Sequence, residues 1–257
     1  MPIDFTLDLS VVYKFLLVLA RVSGLIAMAP IPGFTASPGS ARVILSVALA
    51  VALLPASSAP LANAPSLAQL AGWIASEAAF GLTVGVAIAF LLEGMQAAAQ
   101  MIGLQAGYSF ASTIDPTTQA DTTTLQLMAQ LLAGSLFFAL GLDRQVIHIL
   151  AVSFESIPQG AYALDWPSAG SIARLGSGIF STGLRLALPV LALMILLDIA
   201  FAVLGRLHAQ LQLLSLAFAV KMLVALAFLT SVLSFYPTVF EQTAGTTFTT
   251  LVRILNH

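Results

Sequence analysis

The chain has 257 residues, 59% of them hydrophobic and only 8% charged, with a formal net charge of −2 and no cysteine. Soluble domains carry roughly 25% charged residues, so this chain cannot cover a water-facing surface. The lack of cysteine excludes disulfides and thiolate metal sites, and the lack of any basic run argues against a nucleic-acid partner.

Apolar runs of bilayer length, about 20 residues, recur along the whole sequence. The expected fold is therefore an all-α, polytopic helical membrane protein. No Pro/Ser linker or charge block divides it, so one unit over 1–257 is expected. Asp4 and Asp8 stand where a cleaved signal peptide would be basic, so no targeting segment is read there.

The first apolar run, Val11–Pro30, contains Lys14 and Arg21. Lys14 lies near an end and can snorkel, but Arg21 is mid-run and costly against lipid. Pro30, Pro32, Gly33 and Pro38 predict a tight, non-helical connection. Val43–Leu54 is a second run, closed by Pro55. Leu67–Leu92 is a third, carrying Glu77 and the pair Gly81 and Gly85, a spacing that lets two helices approach closely.

Glu93–Thr124 is the one long polar interruption: a glutamate and small residues, then Tyr108 and Phe110, a turn at Asp115-Pro116, and a hydroxyl-rich end. It is the best candidate for the functional element, although an ordinary solvated loop would have a similar composition. Leu125–Leu142 resumes as an apolar run ended by Asp143-Arg144, and the shorter Val146–Ile157 stops at Pro158. Gln159–Gly178 reads as a loop whose Tyr162 and Trp166 suit a membrane interface. Ile179–Leu204 contains Arg185, Pro189 and Asp198; Leu213–Phe235 contains Lys221; Pro237–His257 is a mixed, partly amphipathic tail.

Several runs are short, broken by proline or charged, which predicts long, kinked and broken helical hairpins rather than plain spans. Charged groups at membrane depth are tolerated only where protein or a water-filled cavity surrounds them. Arg21, Glu77, Glu93, Arg185, Asp198 and Lys221 all lie in apolar context, so the chain is expected to complete itself against other subunits. Catalytic signatures are missing. His148, His208 and His257 share no ligand spacing, and Gly103 and Gly107 lack the Gly-Lys-Ser/Thr of a phosphate loop. No enzymatic activity, cofactor or metal is expected.

The order of features resembles the FliR family of flagellar biosynthesis proteins, which includes the SctT components of injectisome type III secretion. The resemblance is carried by Arg21-Val-Ser-Gly24 with Ala29-Pro30, then Pro38 and Arg42, then Glu77 with Gly81 and Gly85. It continues through Glu93, Ile102–Ala111 (IGLQAGYSFA) and Asp115-Pro116. Downstream follow Leu136–Gly141 (LFFALG), Ser153 with Ile157-Pro158 and Gly160, then Ala187-Leu-Pro189, Asp198 and Gly205-Arg206. Coverage is end to end. The chain departs from the family at Leu207–Gln212, where a Pro-Gln-x-Asn pattern is usual, at Ala219-Val220 before Lys221, and in the polar Gln119–Thr124.

The resemblance implies a core subunit of the inner-membrane export gate at the flagellar basal body, multi-pass, which helps form and close a channel for unfolded substrates. The implied partners are FliP-like and FliQ-like subunits, a FlhB-like subunit, and membrane lipid. Residues of about 1–178 would be the FliP-like portion, and about 179–257 the FliQ-like helix pair and tail, packed into a helical hetero-oligomeric ring. The plug would be the loop near 107–123, with Gly107, Tyr108, Phe110, Ile114, Asp115 and Pro116 as its gating residues. Arg21, Glu77, Glu93, Arg185, Asp198, Arg206 and Lys221 would be buried charges used in assembly. The flagellar branch is favoured over an injectisome subunit by the IGLQAGYSFA run. A small-solute transporter, a scaffold with no pore role and an intramembrane enzyme are the other readings.

Overall fold

The computed structural model of the chain describes residues 9–29, 39–57, 65–108, 124–163, 166–207 and 213–255. Among them it has eight α-helices and no strand. They are α1 (Leu9–Met28), α2 (Gly39–Leu53, extended by a 3-10 turn at Leu54–Ala56), α3 (Leu67–Ala106), α4 (Thr124–Ala139), α5 (Leu142–Ser156), α6 (Trp166–Leu207), α7 (Leu213–Leu233) and α8 (Tyr236–Leu255). Four are long and apolar enough to cross a membrane, α1, α2 with its 3-10 turn, α3 and α6. A fifth span arises if α4 and α5, bent by 61° at Leu140-Gly141, count as one. Gly141 supplies the left-handed backbone of that bend, at φ +67°.

Three segments differ from expectation. Helix α3 runs 40 residues, through Glu93 to Ala106, so the first half of the polar stretch is helix. Its Gln, Ala, Met and Leu are strong helix formers, and nothing there breaks the ladder. Helix α6 begins at Trp166, inside the expected 159–178 loop. Pro167 favours a helix start, because its missing N–H would be unpaired in the first turn anyway. The mixed tail is the regular helix α8, with Pro237 likewise in its first turn. Pro189 lies inside α6 without ending it; lacking an N–H, it cannot bond the Arg185 carbonyl.

The chain divides into two compact units, interleaved along the sequence. The first comprises residues Met1–Ala89, Phe137–Leu175 and Thr246–His257; the second comprises Phe90–Leu136 and Gly176–Gly245. The first unit has a core that includes Leu17, Val18, Val22, Phe80, Leu150 and Leu251, all buried. At its centre is Arg21, with no solvent exposure. Its Nε pairs with Glu77 Oε2, its Nη2 donates to Glu77 Oε1 at 3.1 Å, and its Nη1 donates to Ser153 Oγ at 2.8 Å. The guanidinium is held between two rings, 4.7 Å from the Phe80 centroid and 4.4 Å from that of Phe154. Glu77 Oε1 also accepts the Gly160 N–H at 2.8 Å. Around this network Tyr162 packs edge-on against Phe80 at 5.2 Å, its carbonyl accepts from Ser76 at 2.6 Å, and its hydroxyl lies 3.0 Å from Thr83 Oγ1. One ion pair thus ties α1, α3, α5 and the turn after α5.

Helices α1 and α3 run parallel and touch backbone to backbone. A Cβ on Gly24 would lie 2.5 Å from the Ala78 carbonyl oxygen, one on Gly85 2.6 Å from that of Leu25, and one on Gly81 would collide with that of Arg21. The three glycines bring the helices close enough for Arg21 and Glu77 to meet. In the second unit Gly94 faces Thr182 and Gly183 faces Ala97 and Ala98, which brings α3 and α6 together in the same way. There the Tyr236 hydroxyl donates to the Met95 carbonyl at 3.3 Å, and Met95, Val190, Met194 and Phe240 are core residues.

Two outcomes follow. Glu77→Ala strands the Arg21 charge and costs about 3–5 kcal/mol, whereas the double replacement Arg21→Met with Glu77→Leu costs less than either single change. Gly81→Ala lowers the melting temperature, while Gly72→Ala, where a Cβ meets nothing within 4 Å, raises stability by up to about 1 kcal/mol through helix propensity. Thermal unfolding of the detergent-solubilised protein, followed by circular dichroism, checks both.

Candidate functional site: the root of the central loop

The central loop leaves α3 at a defined stop. The Tyr108 N–H donates to the Gly103 carbonyl at 3.0 Å and the Gly107 N–H to the Leu104 carbonyl at 3.3 Å. With Gly107 at φ +87°, this is a Schellman cap. Gly107 also lies under a ring: a Cβ there would be 3.1 Å from Phe218. The family resemblance implies a plug from about Gly107, whereas polarity alone suggested an interruption from Glu93; the helix-stop signal of Gly107 was available in the same residues.

Behind this cap, three helices of the second unit meet in a polar cluster. Lys221 Nζ of α7 lies 2.5 Å from Asp198 Oδ1 of α6. Gln105 of α3 donates from Nε2 to Asp198 Oδ2 at 3.1 Å, and its carbonyl accepts from Lys221 Nζ at 3.5 Å. One turn on, the Tyr108 hydroxyl donates to the Met222 carbonyl at 3.1 Å. Lys221 is mostly buried, at 13% side-chain exposure, while Asp198 remains 45% exposed. The cluster fastens the last turn of α3 to α6 and α7 through polar groups on otherwise apolar helices. It holds an ordered root from which the following residues depart.

The predicted site residues divide accordingly. Gly107 and Tyr108 form the root. Phe110, Ile114, Asp115 and Pro116 lie outside the described residues. Asp198 and Lys221 pair with each other. Arg21 and Glu77 pair too, so their charges are satisfied within the chain rather than offered to a neighbour. Glu93, Arg185 and Arg206 are exposed on the chain's surface, although each sits in an apolar helix. Gln105, which bridges Asp198 and Lys221, escaped sequence reasoning because an isolated glutamine in a helix carries no pattern. Ser153 was noted only for the family resemblance; its bond to Arg21 had no signal at a separation of 132 residues.

The cap makes a direct prediction. Gly107→Ala forces a left-handed conformation on an L-residue and costs about 1–2 kcal/mol. It should speed amide hydrogen exchange over 103–108 without altering exchange around Arg21; unchanged exchange at the cap would remove its anchoring role.

The sequence matches the family described as "Bacterial export proteins, family 1" over residues 12–247. The flagellar biosynthetic protein FliR of Escherichia coli (strain K12) is 30% identical over 216 residues, covering 84% of this chain and 82% of the relative. FliR of Pectobacterium carotovorum subsp. carotovorum is 28% identical over 245 residues, 95% of this chain and 93% of the relative. FliR of Bacillus subtilis (strain 168) is 25% identical over 222 residues, 82% of each. The match to the family spans both compact units and includes the capped root of the central loop, and the chain belongs to the bacterial export proteins, family 1.

Proposed function

We propose that this chain is a core subunit of the inner-membrane export gate of the flagellar type III secretion apparatus, where it helps to form and close the channel for unfolded substrates. The observation that carries this reading is the family match over residues 12–247, together with relatives named as flagellar biosynthetic proteins. Those names also favour the flagellar system over an injectisome. In this reading the chain is a structural and conducting element and performs no catalytic step.

The geometry supports assembly with other subunits. Helix α6 is 42 residues long, about 63 Å at 1.5 Å per residue, twice the roughly 30 Å of a bilayer core. Only 22% of its most apolar window is buried within the chain, and Leu188, Ile195, Leu196, Ile199 and Val203 are exposed. Glu93, Arg185 and Arg206 are exposed within such helices, and lipid would penalise them. Neighbouring FliP-like and FliQ-like subunits, with a FlhB-like subunit alongside, would cover these faces and supply counter-charges. The loop near 107–123 would serve as the plug: its small and hydroxyl residues move at low cost, while Phe110 and Ile114 block water and ions.

Co-expression of a tagged copy with its FliP-like and FliQ-like partners, followed by native mass measurement, should give a discrete large hetero-oligomer. A monodisperse chain that ignores both partners would sink the proposal. Arg206→Ala and Lys221→Ala should each lower the yield of that complex, and normal yield from both would remove the assembly role of these charges. Excision of Gly107–Thr123 should leave the complex intact but make the membrane leak ions, read as growth inhibition or dye flux.

A further inference from the structure

The bent helix pair α4–α5 presents two different outer faces. On α4 the exposed side chains include Leu127, Met128, Leu131 and Phe138. The hydroxyl on that face, Ser135, donates to the Leu131 carbonyl at 2.8 Å and is satisfied within its own helix. On α5 the pattern inverts. Leu142, Val146, Ile149, Leu150 and Phe154 are buried, and Ser153 accepts from Arg21. The apolar side of α5 is therefore already used inside the chain. Arg144, Gln145, His148, Glu155 and Ser156 are left exposed, and Ile147 is the one large hydrophobic residue exposed on this helix.

The change from one face to the other falls at the 61° bend. Ionised side chains are costly against lipid, and the Arg21–Glu77 and Lys221–Asp198 pairs take up none of the charges on α5. The backbone points the same way. No side chain caps the start of α5, so the N–H groups of its first turn depend on water. Backbone groups without partners are tolerated at membrane depth only beside protein or a water-filled cavity. Asp143 lies in that first turn, where a carboxylate is favoured by the helix dipole.

We propose that the outer face of α5 is an aqueous surface, and that the apolar surroundings of the helix pair end at the bend. The pair is then not a fifth span: α4 keeps apolar surroundings, while Arg144, Gln145, His148 and Glu155 stand in water. The inference rests on polarity, exposure and the uncapped helix start. It holds whether or not the chain is an export-gate subunit.

The chain contains no cysteine, so one introduced thiol is its only reactive one. Gln145→Cys, His148→Cys and Ser156→Cys report on α5, and Leu127→Cys and Leu131→Cys on α4. Each full-length variant replaces the wild-type chain in its own host, so that whatever neighbours it has are present. Membranes are then fragmented to open both sides and treated with a charged methanethiosulfonate. The thiolate is the reacting species, and apolar surroundings raise a thiol's pKa. Each α5 thiol should therefore react at least about tenfold faster at neutral pH than either α4 thiol, the factor carried by one pKa unit. A second readout needs no cysteine. Gln145→Lys should leave the amount of chain in the membrane unchanged, whereas Leu131→Lys should lower it at least about tenfold, as insertion scales require for a charge against lipid. Slow reaction of the three α5 thiols would overturn the proposal, because lipid or a neighbouring subunit would then cover that face. Reaction on α4 as fast as on α5, or equal loss from the two lysine variants, would remove the boundary at the bend and overturn it as well.

Discussion

A guanidinium with no exposure to solvent imposes conditions on everything near it. Removed from water, the Arg21 charge is tolerable only if it is paired, hydrogen-bonded and kept so. The chain meets each condition from a different part of the sequence: a carboxylate from α3, a hydroxyl from α5, two aromatic faces, and an N–H from the turn after α5 that steadies the carboxylate. Each contact fixes the position of an element. The parallel contact of α1 and α3 follows as well, because Glu77 reaches Arg21 only where Gly24, Gly81 and Gly85 let the backbones touch. Such networks rigidify a core when every member is satisfied, and this one is.

The second unit follows a looser logic. Its helices approach through Gly94 and Gly183, and its polar cluster at Asp198, Lys221 and Gln105 is half open to solvent. Partly exposed pairs of this kind contribute little to global stability. Their effect is positional: they hold the last turn of α3 in one place, so the residues after Gly107 leave from a fixed point.

Much of this was legible in the residues. Composition and run length fixed the membrane helices, and the Gly81/Gly85 spacing marked a close helix contact that the structure places against α1. Arg21 and Glu77 stood out as charges in apolar runs, but partners 56 residues apart leave no local periodicity, so only the fold could join them. Helix boundaries were harder. Polarity after Leu92 suggested a loop, yet Gln100 and Gln105 are helix formers and α3 continues to Ala106. Trp166-Pro167 looked like loop chemistry and is instead a helix start, since proline's missing N–H is harmless there. The polar character of Glu93–Ala106 proved to be a matter of which face the helix shows.

The wide sequence separation of the Arg21 network bears on how the chain is made. Helix α1 is synthesised before α3, and the counter-charge for Arg21 follows 56 residues later, which at 5–20 residues per second is about 3–11 s of translation. The Ser153 hydroxyl emerges later still. In that interval α1 carries an arginine near its middle, a placement that costs about 2.5–3.5 kcal/mol on insertion scales. Nascent α1 is therefore a poor anchor until α3 arrives, and the Gly24–Gly81 contact becomes an event in biogenesis as well as a feature of the finished core. The first half of α3 supplies the parallel partner that a reluctant segment lacks, and it does so before the residues after Gly107 are translated.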